Sequence, residues 1–227
     1  MRTTEITPNL LQLTRARFVN AFLVREDDGF TLVDTTLSGG AADLIAAARG
    51  AGGEIRRIAL THGHGDHVGS LDALVAELGP DVQVLLGERD ARILAGEEPS
   101  PKGSWPKVSS KPDVRLLGGE RIGSLEVVAS PGHTPGHVAF HDTRDGSLLA
   151  GDVYSAYGRV SITSHFYWRF PLPLMGTSDR AEDLRSAEAL AAREPSRLLV
   201  GHGPATAAPA GAMRAAIERA RAAAGGS

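Results

Sequence analysis

An α/β fold is what this chain predicts, and three observations predict it. Short apolar runs of strand length alternate with helical apolar stripes along most of the sequence. Several of the apolar runs end in glycine beside a histidine or an aspartate. No segment repeats at a fixed period, so the alternation belongs to a layered fold and not to a solenoid or propeller.

The elements follow in order. Phe18 to Val24 and Phe30 to Val33 read as an antiparallel pair, turned by Asp27-Asp28-Gly29. Ala41 to Arg49 reads as a helix, ended by Gly50, Gly52 and Gly53. Ile58 to Leu60 is a buried strand, and Val68 to Leu78 a helix with Leu71, Leu74, Val75 and Leu78 as its stripe, stopped by Gly79-Pro80. Val82 to Leu86 predicts a strand and Glu88 to Ala95 a short helix. Glu97 to Asp113, with Pro99, Pro101, Pro106, Pro112 and Trp105, predicts a surface loop, either a solvated connection or a substrate flap. Strands follow at Val114 to Leu117, Leu125 to Ala129, Val138 to Phe140 and Leu148 to Ala150. Asp179-Arg180-Ala181-Glu182 resembles a capping box, opening a helix whose buried face is Leu184, Ala187, Leu190 and Ala191. Arg197 to Val200 is the last strand and Pro209 to Ala224 a terminal helix.

Composition sets bounds. At 227 residues with 42% hydrophobic and 22% charged side chains, the chain is an ordinary soluble globular sequence long enough for a sizeable core. No linker-like stretch divides it, so a single domain over residues 1–227 is expected. The net charge of −3 offers no electrostatic case for nucleic acid or an anionic membrane. With no cysteine there is neither a disulfide nor a thiolate ligand. Nothing reads as a signal peptide or as a membrane span, which makes the cytoplasm the expected compartment.

The densest chemistry lies in Thr61-His62-Gly63-His64-Gly65-Asp66-His67, just past the Ile58 to Leu60 strand. Neutral imidazole and carboxylate suit zinc and related divalent ions. Three histidines and an aspartate exceed what one tetrahedral zinc with an open position uses, so two metals are suggested. Further candidates occur in Pro131-Gly132-His133-Thr134-Pro135-Gly136-His137, in Leu148-Leu149-Ala150-Gly151-Asp152 and in Leu198-Leu199-Val200-Gly201-His202-Gly203-Pro204. His137 reads as a supporting or structural residue, not as a ligand.

The His-x-His-x-Asp-His run, followed in order by PGHTPGH, a strand-end Gly-Asp and a late GHGP, resembles the metallo-β-lactamase superfamily, and within it the glyoxalase II-like hydrolase branch. The resemblance covers about Phe18 to Pro204. It implies a four-layer αββα sandwich of two mixed sheets flanked by helices. It implies that His62, His64 and His133 hold one metal, that Asp66, His67 and His202 hold a second, and that Asp152 bridges them. Two zinc ions per chain are the expected cofactor, with iron or manganese as other occupants of the same set.

Water between two such ions loses a proton near neutral pH and attacks a carbonyl carbon. The implied activity is therefore hydrolysis of a small-molecule thioester, ester or lactone by a metal-bridging hydroxide, with Asp66 orienting the nucleophile. Lactonases that share the ligand set place a tyrosine soon after the bridging aspartate, so Tyr154 or Tyr157 is a candidate donor to developing charge. The alternatives on the same scaffold are a mononuclear iron dioxygenase of the persulfide dioxygenase type and a zinc phosphodiesterase acting on RNA.

Of the chain's six Phe, three Tyr and two Trp, six lie between Tyr154 and Phe170. That stretch, part of a segment from Tyr154 to Met175 without a regular pattern, reads three ways: an apolar substrate pocket, a homodimer contact, or core packing. In the first reading Arg159, His165, Phe166 and Trp168 contact the substrate.

Overall fold

A computed structural model describes residues 1–225 of the chain. Its backbone groups into two compact units. The first comprises residues 1–100 and 104–116. It contains β1 (Arg2–Thr7), β2 (Leu10–Arg15), β3 (Val19–Glu26), β4 (Gly29–Val33), α1 (Ala41–Gly50), β5 (Ile55–Ala59), α2 (Gly65–Val68), α3 (Leu71–Leu78), β6 (Gln83–Gly87), α4 (Glu88–Leu94) and β7 (Val114–Leu116). The seven strands form one sheet in chain order. β1 to β4 pair antiparallel, as short turns allow, whereas β4 to β7 pair parallel because helices carry each return.

Helix α1 explains the core of this unit. Ala41, Leu44, Ile45 and Ala48 are buried at the spacing of one helical face. They pack with Leu13, Leu23, Leu32, Ile58, Leu71 and Leu74 in one cluster. Each fully buried leucine or isoleucine contributes about 1.5–3 kcal/mol.

The helix expected over Val68 to Leu78 is instead two helices, α2 and α3. Gly69 and Ser70 part them for a packing reason. A Cβ at Gly69 would stand 2.5 Å from Ser38 N and from Gly65 O, so the chain passes too close for a side chain. The Ser70 hydroxyl donates to Leu37 O at 2.7 Å and accepts from Gly40 N at 2.8 Å. Residues 95–113 carry no helix or strand, as expected for a loop, but the loop is tied down: Asp72 accepts the amides of Ser109 at 2.9 Å and Ser110 at 2.7 Å.

The second unit comprises, among the described residues, 101–103 and 117–225. It contains β8 (Arg121–Ile122), β9 (Leu125–Ala129), β10 (Val138–Asp142), β11 (Ser147–Leu149), β12 (Tyr154–Ser155), β13 (Ser161–Ile162), α5 (Leu172–Gly176), α6 (Arg180–Ala191), β14 (Arg197–Leu199), β15 (Thr206–Ala207) and α7 (Ala210–Gly225). Six strands form a sheet in the order β15-β14-β11-β10-β9-β8, and β12 and β13 form a separate hairpin. In the sheet only β11 and β14 run parallel, with Leu149 opposite Leu199. Leu148, Leu198 and Val200 pack with Ala187 and Leu190 of α6 and with Met213, Ala216 and Ile217 of α7. The N-cap half of the capping box holds at α6, where Asp179 Oδ1 accepts from Ala181 N at 3.0 Å and Glu182 N at 2.9 Å, whereas the reciprocal half gives way, with Asp179 N donating to Gly132 O and Glu182 paired with Arg185. The architecture is α/β as expected, with two large mixed sheets flanked by helices.

Candidate metal-ligand sets

In the first unit the parallel pairing of β4 with β5 sets Val33 opposite Ala59, so Asp34 and Leu60 follow side by side. Asp34 is buried and takes the left-handed conformation at φ 62, which aspartate tolerates better than most residues. Its carboxylate accepts from Thr61 N at 2.8 Å, from Thr61 Oγ1 at 2.9 Å and from His67 Nδ1 at 2.8 Å. The Thr61 hydroxyl has one hydrogen, which goes to this carboxylate, so its oxygen receives Nδ1–H of His62 at 3.0 Å. Both imidazoles are thereby held as Nδ1–H tautomers that carry the lone pair on Nε2, the arrangement that orients histidine toward a metal.

The four ligand-type side chains of this turn cluster. Ring centres of His62 and His64 lie 4.8 Å apart, and those of His62 and His67 4.1 Å. His67 Nε2 is 3.9 Å from Asp66 Oδ2, and the Asp66 side chain is 31% exposed, the least enclosed of the set. The turn itself is braced. Buried Asp90 of α4 accepts Gly63 N at 2.9 Å, and Ser104 O accepts Gly65 N at 2.8 Å. The Trp105 ring lies 5.1 Å from the His64 ring, and a Cβ at Gly63 would stand 2.5 Å from it. The loop after α4 is thus packed on the histidine turn through Trp105 and is more than a solvated connection.

In the second unit His133 follows Gly132, whose φ of 132 and close approach to α6 both require glycine: a Cβ there would stand 2.1 Å from Asp183 N. Thr177 Oγ1 donates to Pro173 O at 2.9 Å, so it accepts from His133 Nδ1 at 3.1 Å and leaves the lone pair on Nε2. That Nε2 lies 3.6 Å from Asp152 Oδ2, and His202 Nε2 lies 3.1 Å from the same oxygen. His137 has the supporting place expected of it. Its Nε2 accepts Asp152 N at 3.1 Å while Nδ1 donates to Ser130 Oγ at 2.9 Å. Asp152 and His202 each sit three residues beyond the paired Leu149 and Leu199, so strand register sets their spacing.

The tyrosines separate. Tyr154 is fully buried, donates its hydroxyl to Ala187 O at 2.6 Å and packs in the α6–α7 core, where burial raises its pKa far above the ordinary value. This corrects the expectation that it donates to a reacting group, because its one hydrogen is already committed inside the core. Tyr157 is 42% exposed and stacks at 5.1 Å on Phe170, which lies 5.2 Å from His202.

The remaining residues expected at substrate scatter over the segment. The Arg159 guanidinium covers the Tyr167 ring at 4.4 Å. His165 and Phe166 line a cleft of about 510 Å³ with Leu174, Arg180, Leu184 and Arg185. Burial, with Arg159 and Arg219 nearby, lowers the pKa of His165. Trp168 is 71% exposed, with Arg169 over its ring at 5.2 Å.

Sequence reasoning passed over Asp34, Asp90, Thr177 and Asp183. Only Asp34 left a signal: it follows the apolar Phe30 to Val33 run as Asp152 follows Leu148 to Ala150.

Residues 14–202 match the family model of the metallo-beta-lactamase superfamily. Over 212 residues the chain is 42% identical to "Uncharacterized protein YobT" of Bacillus subtilis (strain 168), covering 89% of this chain and 91% of that one. Over 136 residues it is 34% identical to a hydroxyacylglutathione hydrolase of Xanthomonas euvesicatoria pv. vesicatoria (strain 85-10), covering 60% of this chain and 46% of the enzyme. Among solved structures, TTHA1623 in a di-iron-bound form superimposes with a TM-score of 0.68 at 28% identity, over 87% of this chain and 93% of that one.

Proposed function

The chain belongs to the metallo-β-lactamase superfamily, and from that premise we propose that it is a metal-dependent hydrolase of small-molecule thioesters, esters or lactones. One observation carries the reading: buried His62, His67 and His133 each have Nδ1 engaged by a hydroxyl or carboxylate that fixes Nε2 as the lone-pair atom. A histidine kept only for packing needs no such tautomer control. The donor set of imidazoles and carboxylates, with no thiolate, fits zinc, iron or manganese.

In this proposal His62, His64 and His133 hold one ion, Asp66, His67 and His202 hold a second, and Asp152 is shared. Zinc is the proposed metal, two per chain. When bound, the ions supply an acidified water and an electrophile for the substrate carbonyl. Asp66, the most exposed carboxylate of the set, accepts a hydrogen bond from the attacking water and aligns it. His137 holds the main chain of Asp152 so that the carboxylate does not swing. Tyr157, exposed beside the Phe170 that flanks His202, donates to charge developing on the substrate. Arg159, His165, Phe166 and Trp168 remain proposed substrate contacts, and the cleft lined by His165 and Phe166 supports a role for those two with a remote part of the substrate.

The hydroxyacylglutathione hydrolase similarity supports thioester chemistry, although the aligned stretch spans less than half of that enzyme. The di-iron-bound form of TTHA1623 supports iron as an alternative occupant of the same two-metal set. The substrate is taken to be a small molecule in the cytoplasm, and the exposed aromatic segment is also a candidate homodimer contact.

The test is metal identity and stoichiometry on protein purified without added metal, followed by a thioester, ester and lactone panel. Two zinc ions per chain with turnover of one of these classes is the expected result. One iron per chain, with oxygen consumed in the presence of persulfides, would replace the hydrolase by the oxygenase.

A further inference from the structure

Asp183 of α6 is a buried carboxylate that the proposed chemistry does not use. Its side chain is wholly enclosed, and it forms no ion pair among the described residues. Oδ2 accepts Ser164 N at 3.0 Å and lies 3.3 Å from Thr163 Oγ1, while Oδ1 has no hydrogen-bond partner among the described residues. Such a group costs several kcal/mol to bury, and an apolar residue would pack the helix more cheaply.

What Asp183 does reach is specific. The Thr163 hydroxyl donates to the main-chain carbonyl of Asp152 at 2.5 Å. Asp183 Oδ2 thus bonds the amide next door to Thr163 and lies beside that hydroxyl. Its own main chain abuts the Gly132 turn that precedes His133. The same end of α6 is bonded to that turn, with Asp179 N donating to Gly132 O at 2.9 Å and Ser178 N to His133 O at 3.0 Å. One residue therefore touches both segments of this unit that carry His133 and Asp152.

We propose that Asp183 is a positioning residue that registers His133 and Asp152 against each other, acting on Asp152 through Thr163. The proposal rests on the reading that His133 and Asp152 are metal ligands.

The experiment measures zinc affinity by chelator competition for the full chain and for Asp183→Ala, Asp183→Asn, Thr163→Val and the Asp183→Ala/Thr163→Val double variant. Each of Asp183→Ala and Thr163→Val is expected to weaken zinc binding about 10–100-fold, the usual effect of removing a group that orients a ligand. The double variant should lose much less than the product of the two, because both act through one connection. Asp183→Asn keeps an acceptor for Ser164 N and should stay close to wild type. Wild-type affinity in folded Asp183→Ala, or losses that multiply in full, would overturn the proposal. Should Asp183→Ala fail to fold, Thr163→Val decides alone, and unchanged affinity there overturns it equally. A wild-type chain that binds no zinc removes the ligand reading itself, and this proposal with it, before any variant is compared.

Discussion

Asp34 receives three hydrogen bonds and holds the orientation of two histidines, one directly and one through Thr61. Asp34→Ala should therefore lower metal affinity about 10–100-fold while the turn keeps its histidines, as chelator competition would show. The candidate ligands were legible because histidine and aspartate at strand ends leave a direct trace in sequence. Asp34, Thr177 and Asp183 were not, since their roles depend on which residue lies opposite after folding. Tyr154 shows the opposite error: closeness to Asp152 along the chain suggested a role that side-chain direction denies. Asp183 also has a pH signature. Burial pushes its pKa from 3.8 up to about 7. Below about pH 4 folded and unfolded states both carry the proton. As pH rises toward 7 the unfolded state releases it first, so the folded state loses stability across that window. Melting temperatures of chelator-treated protein should fall more steeply between pH 4 and 7 in wild type than in Asp183→Asn. Equal slopes would place the titration elsewhere.

Elements were read best where pattern and punctuation agree. The α1 stripe and the α6 cap are examples, and the cap has a measurable value: Asp179→Ala should cost about 1 kcal/mol in denaturant unfolding. A loss of several kcal/mol would show that the bond from Asp179 N to Gly132 O fails with it. The β1–β2 hairpin went unread because β1 is largely exposed, so its strand state comes from the main-chain ladder to β2 and leaves little apolar alternation. The strands of two residues, β8, β12, β13 and β15, are too short for any period to register. The break between α2 and α3 depends on a close approach to Leu37 and Ser38 that nothing local announces.

For the whole molecule, the α/β class was legible from the alternation of elements, and the family from four motifs in order. The family match over residues 14–202 runs across both compact units. We expect the chain to unfold as a single domain. In a Trp168→Phe variant the remaining Trp105 reports the first unit, while far-ultraviolet circular dichroism reports both. Coincident denaturant curves are the expected result. A dichroism curve in two steps, with fluorescence following only one, would show that the units fold separately. No helix among the described residues is long and apolar enough to cross a membrane.

The parallel pairing of Ser147–Leu149 with Arg197–Leu199 has a consequence for descent. Asp152 and His202 are spaced by the ladder at the two ends of a long excursion, not by the excursion's own length. Residues between Ser164 and Thr177 can lengthen, shorten or change character so long as the ladder keeps its register and the ends of the excursion keep their bonds. A slip of one residue would displace one of these two proposed ligands by about 3.3 Å, more than the proposed metal site could tolerate. Selection for a new substrate therefore has a stretch of chain to rewrite, and selection for the metal polices only its borders.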